Sequence, residues 1–555
     1  MKKLLLISFV VAYLCQSITA QNNAKIGVAL QQEMTLREVS ELIRVNIILN
    51  QRYDQMEMRR KSSVFTKKED KRSFVVGELK RFSKETQQGV MKLLSTMPAV
   101  SQIQSFWIMN FINCYANIEA IKKLSLHPDV LIIGFDRDLD VLPEEKTAHT
   151  VEPTRAISYN IQKVNADKVW SLGYEGDGVV VAVLDRGVNY NHYDLKSNMW
   201  QHPNFPFHGY NFVDNTNDPM DVHGHGTHVA GTVAGNGTSG VQTGIAPKAK
   251  IMAIKIIGGA PNAAWVSGIE FAVEYGAHIL NMSCGWRLDD PIFFYDSVDL
   301  RDAMVNALEA GVIASVAAGN EGDVLPWYPI PNNVTTPANC PPPWLHPDQV
   351  TTGGLSAVVC VGNTDENDNI WYTSSKGPVT WTDPLILGYS DYPYNPGMGL
   401  IRPDICAPGV SVTSLSHTNN SGYVGGSYWT GTSMSTPCVA GVMALMLSKN
   451  SELTPTEICE ILETTAVRLP TSSSLKNNIY GSGRIDAYAA VQAVCVNAFT
   501  NKIVTSNTTI IGCNDIYLEN VTVTNNAKLT IYATGNVIFG GGFGCTNGAT
   551  YEIKK

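Results

Sequence analysis

Residues 179–187 read VVVAVLDRG, an unbroken apolar run that ends in an acid. Such runs are typical of parallel strands buried on both faces, because both sides of the strand pack against helices. Similar runs recur at 251–256 (IMAIKI), 278–283 (HILNMS) and 311–320 (GVIASVAAGN), with helix-like stretches between them. The alternation predicts an α/β fold with a doubly wound, mostly parallel sheet between about residues 151 and 496.

Polar residues stand at the ends of three of these predicted strands. Asp185, Ser283 and Asn320 each follow an apolar run directly. In open α/β sheets the functional groups collect beyond the carboxyl ends of the strands. We therefore expect these three residues to lie at one edge of the sheet.

Two further motifs supply an imidazole and a hydroxyl. HGHGTHVAGT contains His225, and GTSMSTP contains Ser433, each at the start of a predicted helix. Nucleophilic acyl transfer needs an acid, an imidazole and a hydroxyl, and the chain order Asp, His, Ser separates this arrangement from two other folds with the same geometry. We expect Asp185, His225 and Ser433 to be catalytic, with Asn320 donating to an oxyanion.

The histidine-rich motif has a second interpretation as a metal site. His223, His225 and His228 concentrate three potential ligands in six residues. Zinc hydrolase motifs usually carry an acid as general base, and none accompanies these histidines. We interpret His228 as a packed helix histidine and assign no role to His223.

The sequence contains seven motifs in the following order: DRGVNYNHYDL, HGHGTHVAGT, ILNMSCG, SVAAGNEG, PDICAPG, GTSMSTP and GSGRIDAYAAV. In these motifs and their order the chain resembles the subtilisin-like serine peptidases (subtilases). Its long insertions resemble those of the bacillopeptidase F-like branch. The resemblance implies a subtilisin-like fold, the triad named above and the oxyanion role of Asn320. It also implies two substrate-binding walls on either side of the primary specificity pocket: Ser283, Cys284 and Gly285, and Ala317, Ala318 and Gly319.

Arg186 departs from the family, which usually has Ser or Thr after the catalytic acid. A guanidinium binds carboxylates bidentately, so Arg186 could compete with His225 for Asp185. Alternatively, strand alternation directs the side chain away from the triad and towards another acid. We favour the second arrangement, because a buried arginine must be paired.

The resemblance also implies a possible structural calcium ion. Asp194 and the polar loop NGTSGVQ at 236–242 match one calcium site of the family loosely. Oxygen ligands on loops suit Ca²⁺, although ordinary solvated loop residues have the same composition. The acyl-transfer chemistry itself requires no cofactor.

Residues 1–20 carry two lysines, an apolar run and a small-residue end, which is the layout of a secretory signal peptide. Residues 21–150 alternate strand-like and helix-like stretches, including IQSFWIMNFI as one strand and a helix capped by Asn117, and predict a small α+β unit. This unit resembles the family's inhibitory pro-segment. A polar linker, LPEEKTAHTVEPT, follows and is a candidate cleavage region between about Leu142 and Arg155.

Residues 497–555 change character again and predict a compact β-rich tail of short antiparallel strands, and no long repeat or low-complexity segment is found elsewhere in the sequence. The tail could direct export or attachment, or cover a sheet edge. Export permits disulfides, and we expect bridges Cys340–Cys360 and Cys513–Cys545, although sequence alone leaves the pairing open.

Charge separates the regions of this 555-residue chain, whose formal net charge is −9. Residues 21–150 sum to +3 and residues 151–555 to −14, which suits a leader that docks onto an acidic body. No basic patch indicates nucleic-acid binding, and no segment after the leader is long and apolar enough for a stable membrane span.

Together these features predict a secreted or cell-surface serine endopeptidase of protein or peptide substrates, made as a self-processing zymogen. Its own pro-segment would be an intramolecular inhibitor, and insertions at 322–357 and 379–399 would shape the pocket. A catalytically silent surface or binding protein with the same fold is the alternative, and Arg186 is its only positive support.

Overall fold

The computed structural model describes residues 25–139, 156–286, 300–324, 329–330, 333–341, 357–379, 400–470 and 476–555. The predicted signal peptide, the candidate cleavage region and most of both insertions lie outside these residues.

The N-terminal segment forms a four-stranded antiparallel sheet in the order β2-β3-β1-β4, packed with helices. Its elements are α1 (Val28–Leu36), β1 (Ile43–Leu49), α2 (Gln55–Ser62), α3 (Lys68–Ser95), β2 (Val100–Phe106), β3 (Phe111–Ala116), α4 (Ile118–Ser125), β4 (Val130–Phe135) and β5 (Asp138–Leu139).

Two local predictions for this segment have different outcomes. The side chain of Asn117 accepts the N–H of Ala120 at 2.9 Å, so the predicted cap begins α4. IQSFWIMNFI is not one strand but the hairpin β2–β3, because the chain turns at 107–110. Phe106, Trp107, Ile108, Phe111 and Ile112 are nevertheless all buried, which explains why the run resembled a single strand.

The central sheet has seven strands in the order β13-β12-β11-β10-β6-β8-β7, all parallel. This confirms the predicted α/β class. The elements of this region are α5 (Tyr159–Lys163), α6 (Ala166–Trp170), β6 (Val180–Asp185), α7 (Tyr193–Lys196), β7 (Gly209–Asn211), α8 (His225–Ala234), β8 (Lys250–Lys255), β9 (Ala260–Pro261), α9 (Asn262–Glu274), β10 (Ile279–Met282), α10 (Arg301–Glu309), β11 (Ile313–Ala317), β12 (Val359–Thr364), β13 (Ile405–Pro408), β14 (Ser414–Leu415), β15 (Tyr423–Val424), α11 (Thr432–Lys449), α12 (Pro455–Thr465) and α13 (Ala487–Ala493).

Strand β6 shows why the sheet is buried on both faces. Val181 and Val183 join the apolar cluster that contains α8 and α11, whereas Ala182 and Leu184 join the cluster that contains α9 and α10. Successive side chains of a strand point to opposite faces, so a two-sided core needs an unbroken apolar run. The carboxyl ends of the parallel strands consequently share one edge of the sheet.

The N-terminal segment docks on the face formed by α9 and α10. Phe106 and Ile108 belong to the same apolar cluster as Trp265 on α9. Glu270, also on α9, accepts the backbone N–H groups of Trp107 at 2.6 Å and Ile108 at 2.8 Å, both through Oε1. Apolar burial and satisfied backbone donors therefore join the two units.

A short strand extends this contact. Strand β5 pairs antiparallel with β9, with Asp138 opposite Pro261 and Leu139 opposite Ala260. The end of the N-terminal segment thus adds a strand to an edge of the α/β unit, in the manner of an extended peptide.

The tail comprises β16 (Cys495–Val504), β17 (Thr508–Val523), β18 (Lys528–Tyr532), β19 (Val537–Phe539), β20 (Gly544–Cys545) and β21 (Thr550–Lys554). The antiparallel prediction is wrong, because every strand pair described here is parallel. Paired residues lie 16 to 22 positions apart, as in Cys495 with Ile511, Phe499 with Leu518 and Thr530 with Glu552. The tail is therefore a coil in which each turn of chain stacks on the one before.

Asparagines mark the corners of this coil. Asn501 and Asn520 have φ values of 55° and 52°, a left-handed conformation that asparagine tolerates better than most residues. The side-chain amide of Asn520 donates to that of Asn501 at 3.1 Å, which links successive turns. The sequence analysis did not detect this repeat, although the spacing between these two asparagines corresponds to one turn of the coil.

The disulfide predictions are also wrong. Cys495 bonds to Cys513, so the predicted pair Cys513–Cys545 does not form, and Cys360 is not bonded to Cys340. The parallel register places Cys495 opposite Ile511, close to Cys513 in the next turn. Cys545 instead lies opposite Val523, at the far end of β17.

Among the described residues, no helix combines the length and apolar character needed to cross a bilayer.

The docking contact at Glu270 predicts a pH dependence. Burial raises the pKa of Glu270 to about 8, opposed by the two backbone N–H groups that it accepts. An acid whose pKa is raised in the docked state binds more protons in that state than in the undocked state. Docking is therefore strongest below the ordinary carboxyl pKa and weakens as pH rises through about 8. Since both N–H groups donate to Oε1, a proton on Oε2 leaves them undisturbed.

We therefore expect the Tm of the full chain carrying Ser433→Ala to fall between pH 6 and pH 9, and to fall less when Glu270→Gln is added. Glutamine retains the carbonyl acceptor but cannot ionise. Thermal unfolding of both variants across this range measures the effect. Parallel pH profiles for the two variants would contradict it.

Candidate active site

Asp185 and His225 form a buried pair at the carboxyl edge of the sheet. Asp185 is the last residue of β6 and has no exposed surface, and His225 is the first residue of α8. The Nδ1 atom of His225 lies 2.9 Å from Oδ1 and 3.0 Å from Oδ2 of Asp185. Because the carboxylate is an acceptor, Nδ1 carries the proton and Nε2 becomes the basic nitrogen of the ring.

Glycine allows this approach of α8 to β6. A Cβ at Gly226 would overlap the carbonyl oxygen of Gly187 and would lie 3.2 Å from the Cβ of Asp185. Only a residue without a side chain fits between the start of the helix and the turn after the strand. The HG pair of the motif is therefore a packing requirement for the Asp185–His225 contact.

Ser433 is the second residue of α11, and two hydrogen bonds join it to Ser283. The Oγ of Ser433 donates to the carbonyl oxygen of Ser283 at 2.9 Å. The Oγ of Ser283 donates to the carbonyl oxygen of Ser433, also at 2.9 Å. The segment after β10 and the start of α11 are thereby fixed against each other, with the N-terminal dipole of α11 at Ser433.

Asn320 lies beside the same helix start. Its Oδ1 accepts the backbone N–H of Thr432 at 3.0 Å and the hydroxyl of Thr432 at 3.2 Å. A Cβ at Gly431 would lie 3.1 Å from this oxygen, so glycine keeps the approach open. With Oδ1 occupied, Nδ2 is the half of the amide able to donate to an oxyanion.

The residues expected to bind substrate lie in two short segments, one directly after β10 and one at the end of β11. The first contains Ser283 and Cys284, both buried, and Gly285, while the second contains Ala317, Ala318 and Gly319. Burial raises the pKa of the Cys284 thiol well above its usual value, so this cysteine is a packed, unreactive group.

Comparison with known proteins agrees with this geometry. A model of the subtilase family of peptidases (Peptidase_S8) matches residues 176–483, more than half of the chain. This chain belongs to the subtilase family.

Bacillopeptidase F of Bacillus subtilis (strain 168) is 31% identical over 457 residues, which is 76% of this chain but only 29% of the relative. Subtilisin E of the same strain is 29% identical over 67% of this chain and 78% of its own length. Subtilisin DY of Bacillus licheniformis is 32% identical over 61% of this chain and 100% of its own length. Membership assigns this subtilase to the serine endopeptidases, which are hydrolases.

The remaining histidines of the motif do not form a metal cluster in the part of the chain that the structure describes. His228 is fully buried, donates from Nε2 to the carbonyl oxygen of Val412 at 3.0 Å and stacks on Trp429. Burial lowers its pKa to about 3, so it stays neutral. Burial, followed by the charge of Arg186, also lowers the pKa of His223. The contacts of His228 are those of a packing residue.

The residues around Asp194 do not fit a calcium site. Its Oδ1 accepts the N–H of Ser239 at 2.6 Å, and its Oδ2 accepts the hydroxyl of Tyr423 at 3.3 Å. The Tyr423 oxygen in turn accepts the N–H of Val241 at 2.9 Å. A calcium ion needs several oxygens with free lone pairs facing it, whereas hydrogen-bond donors face this carboxylate.

Two long-range contacts escaped the sequence analysis. Strand β9 accepts β5 as a neighbour, although GGAPN reads as an ordinary turn. Thr335 lies in the first predicted insertion and contacts both Gly285 and Gly319. Neither carries a local signal, because each depends on residues distant in the chain.

The effect of Arg186 follows from its contact with Asp185. Its backbone N–H donates to Oδ1 of Asp185 at 2.7 Å, a bond that any residue other than proline keeps. We expect Arg186→Thr to change kcat/KM only a few-fold, with Asp185→Asn as the control that loses about ten-thousandfold. Hydrolysis of a peptide p-nitroanilide measures both. A hundredfold gain in Arg186→Thr would show that the guanidinium suppresses the triad.

Proposed function

We propose that this subtilase is a secreted or cell-surface endopeptidase that cleaves protein or peptide substrates through Asp185, His225 and Ser433. The observation that carries the proposal is the contact of the His225 Nδ1 with the Asp185 carboxylate at 2.9 Å. It leaves Nε2 as the base, and α8, which His225 begins, packs in the same apolar cluster as α11, which carries Ser433. An imidazole held in this tautomer is what a serine nucleophile needs.

In this mechanism Ser433 attacks the substrate carbonyl and its proton passes to Nε2 of His225. The hydroxyl exchanges its bond with the Ser283 carbonyl for one with the imidazole. Asp185 stabilises the imidazolium as it forms, and the Nδ2 of Asn320 donates to the tetrahedral oxyanion. His225 returns the proton to the leaving amine, and water then hydrolyses the acyl-enzyme.

The substrate lies between the segments 283–285 and 317–319, which form the walls of the primary specificity pocket. Glycines at Gly285 and Gly319 let a peptide backbone approach closely. The chemistry requires no cofactor.

The N-terminal segment is proposed to be an intramolecular inhibitor, removed by a cut between about Leu142 and Arg155. Its docking on α9 and the pairing of β5 with β9 support this role, because they bring the end of the segment to the α/β unit as an added strand. The leader-like residues 1–20 support export.

The decisive experiment expresses the chain from residue 21 to 555 beside its Ser433→Ala variant. We expect only the unmodified serine to yield fragments cut near residue 150, to react with a fluorophosphonate probe and to digest labelled casein. Intact mass gives the fragment sizes. Circular dichroism serves as the control that both proteins fold.

Two outcomes would overturn the proposal. If both proteins fold but neither is cut or labelled, the silent binding protein replaces the peptidase. If Ser433→Ala is cut in the same place, another enzyme performs the processing, and the zymogen proposal fails while the peptidase proposal is judged by the casein result.

A further inference from the structure

Thr335 occupies the space between the two proposed walls of the primary pocket. A Cβ at Gly285 would lie 2.6 Å from its Oγ1 and 3.0 Å from its Cβ. A Cβ at Gly319 would lie 3.0 Å from its Cγ2. The threonine therefore faces Gly285 with its hydroxyl and Gly319 with its methyl group.

Hydrogen bonds hold Thr335 and its neighbour in this place. The N–H of Thr335 donates to the carbonyl oxygen of Ala318 at 3.0 Å, and its hydroxyl lies 3.3 Å from the same oxygen. Thr336 and Trp286 exchange backbone hydrogen bonds at 3.0 Å and 2.7 Å. Residues 335 and 336 are thus bonded to both walls, and a β-branched side chain has little rotamer freedom with which to withdraw.

The space beside Gly319 is also filled. Glu321 is buried, and its Oε2 accepts the hydroxyl of Ser375 at 2.9 Å. A Cβ at Gly319 would meet this carboxylate oxygen and would lie 2.8 Å from the Oγ of Ser375. A long substrate side chain would have to displace Thr335 and then enter a region occupied by a hydrogen-bonded acid.

We propose that Thr335 is a specificity-determining residue that limits the primary pocket to small side chains. The residue on the acyl side of the scissile bond, P1, would be alanine, glycine or serine rather than phenylalanine, tyrosine or leucine. This inference rests on the proposed function, since it concerns the pocket of that same site. Close-packed interiors resist added volume, which makes the exclusion a steric one.

The test uses the self-processed enzyme and peptide p-nitroanilides that differ only at P1. We expect kcat/KM for the alanine substrate to exceed that for the phenylalanine substrate by about tenfold or more, as misfits in hydrophobic pockets typically produce. Thr335→Gly should raise the ratio of kcat/KM for the phenylalanine substrate to kcat/KM for the alanine substrate by at least about tenfold.

Thr335→Val is the matched control. Valine keeps the shape of threonine and removes only the hydroxyl, so it should retain the preference for alanine. A purely structural role would instead lower kcat/KM for both substrates together. An unchanged alanine-to-phenylalanine ratio in Thr335→Gly would overturn the inference.

The unmodified enzyme tests the inference even if a variant does not fold. A wild-type preference for phenylalanine or leucine over alanine would refute the small pocket while leaving the peptidase proposal intact. Failure to cleave any substrate, together with failure to react with the fluorophosphonate probe, would instead refute the proposed function.

Discussion

The buried carboxylate of Asp185 is the constraint on which the site depends. A carboxylate without solvent is costly unless donors surround it, and here the imidazole of His225 and the N–H of Arg186 supply them at 2.9 Å and 2.7 Å. This requires α8 to begin against the end of β6, which in turn requires residue 226 to pass the carbonyl oxygen of Gly187 without a side chain. Because the buried Asp185 carboxylate requires hydrogen-bond donors, α8 must begin beside it, and residue 226 must be a glycine.

At this edge of the sheet, the residues proposed for catalysis and the residue proposed to select the substrate belong to different parts of the fold. Ser283 fixes Ser433, the proposed nucleophile, by two hydrogen bonds of 2.9 Å, and Asn320 bonds to Thr432, the residue before Ser433. Thr335, which is proposed to limit the pocket, belongs to a connection and not to a strand. Catalytic geometry is therefore set by the parallel sheet, whereas the proposed choice of substrate is set by a loop that can vary without disturbing that sheet.

Local patterns predicted the parallel strands, the cap at Asn117 and the pairing of Asp185 with His225, because each is encoded by neighbouring residues or by strand ends that share an edge. The tail was misread, since a two-residue alternation is the same in parallel and antiparallel strands. The bridge Cys495–Cys513 and the contacts of Thr335 were missed for a related reason. Both arise from long-range register, which no short window of sequence records.

The coiled tail has a mechanical consequence. Each turn of chain contacts only its neighbours, so its stability is a sum of adjacent interfaces, as in solenoid proteins. The side-chain amides of Asn501 and Asn520 join one turn to the next. An asparagine at the same place in a further turn could form the same contact. Adding a turn would lengthen the tail by about 4.8 Å, the spacing of paired strands. The length of a tail built in this way therefore changes in fixed increments, one strand spacing for each turn of chain.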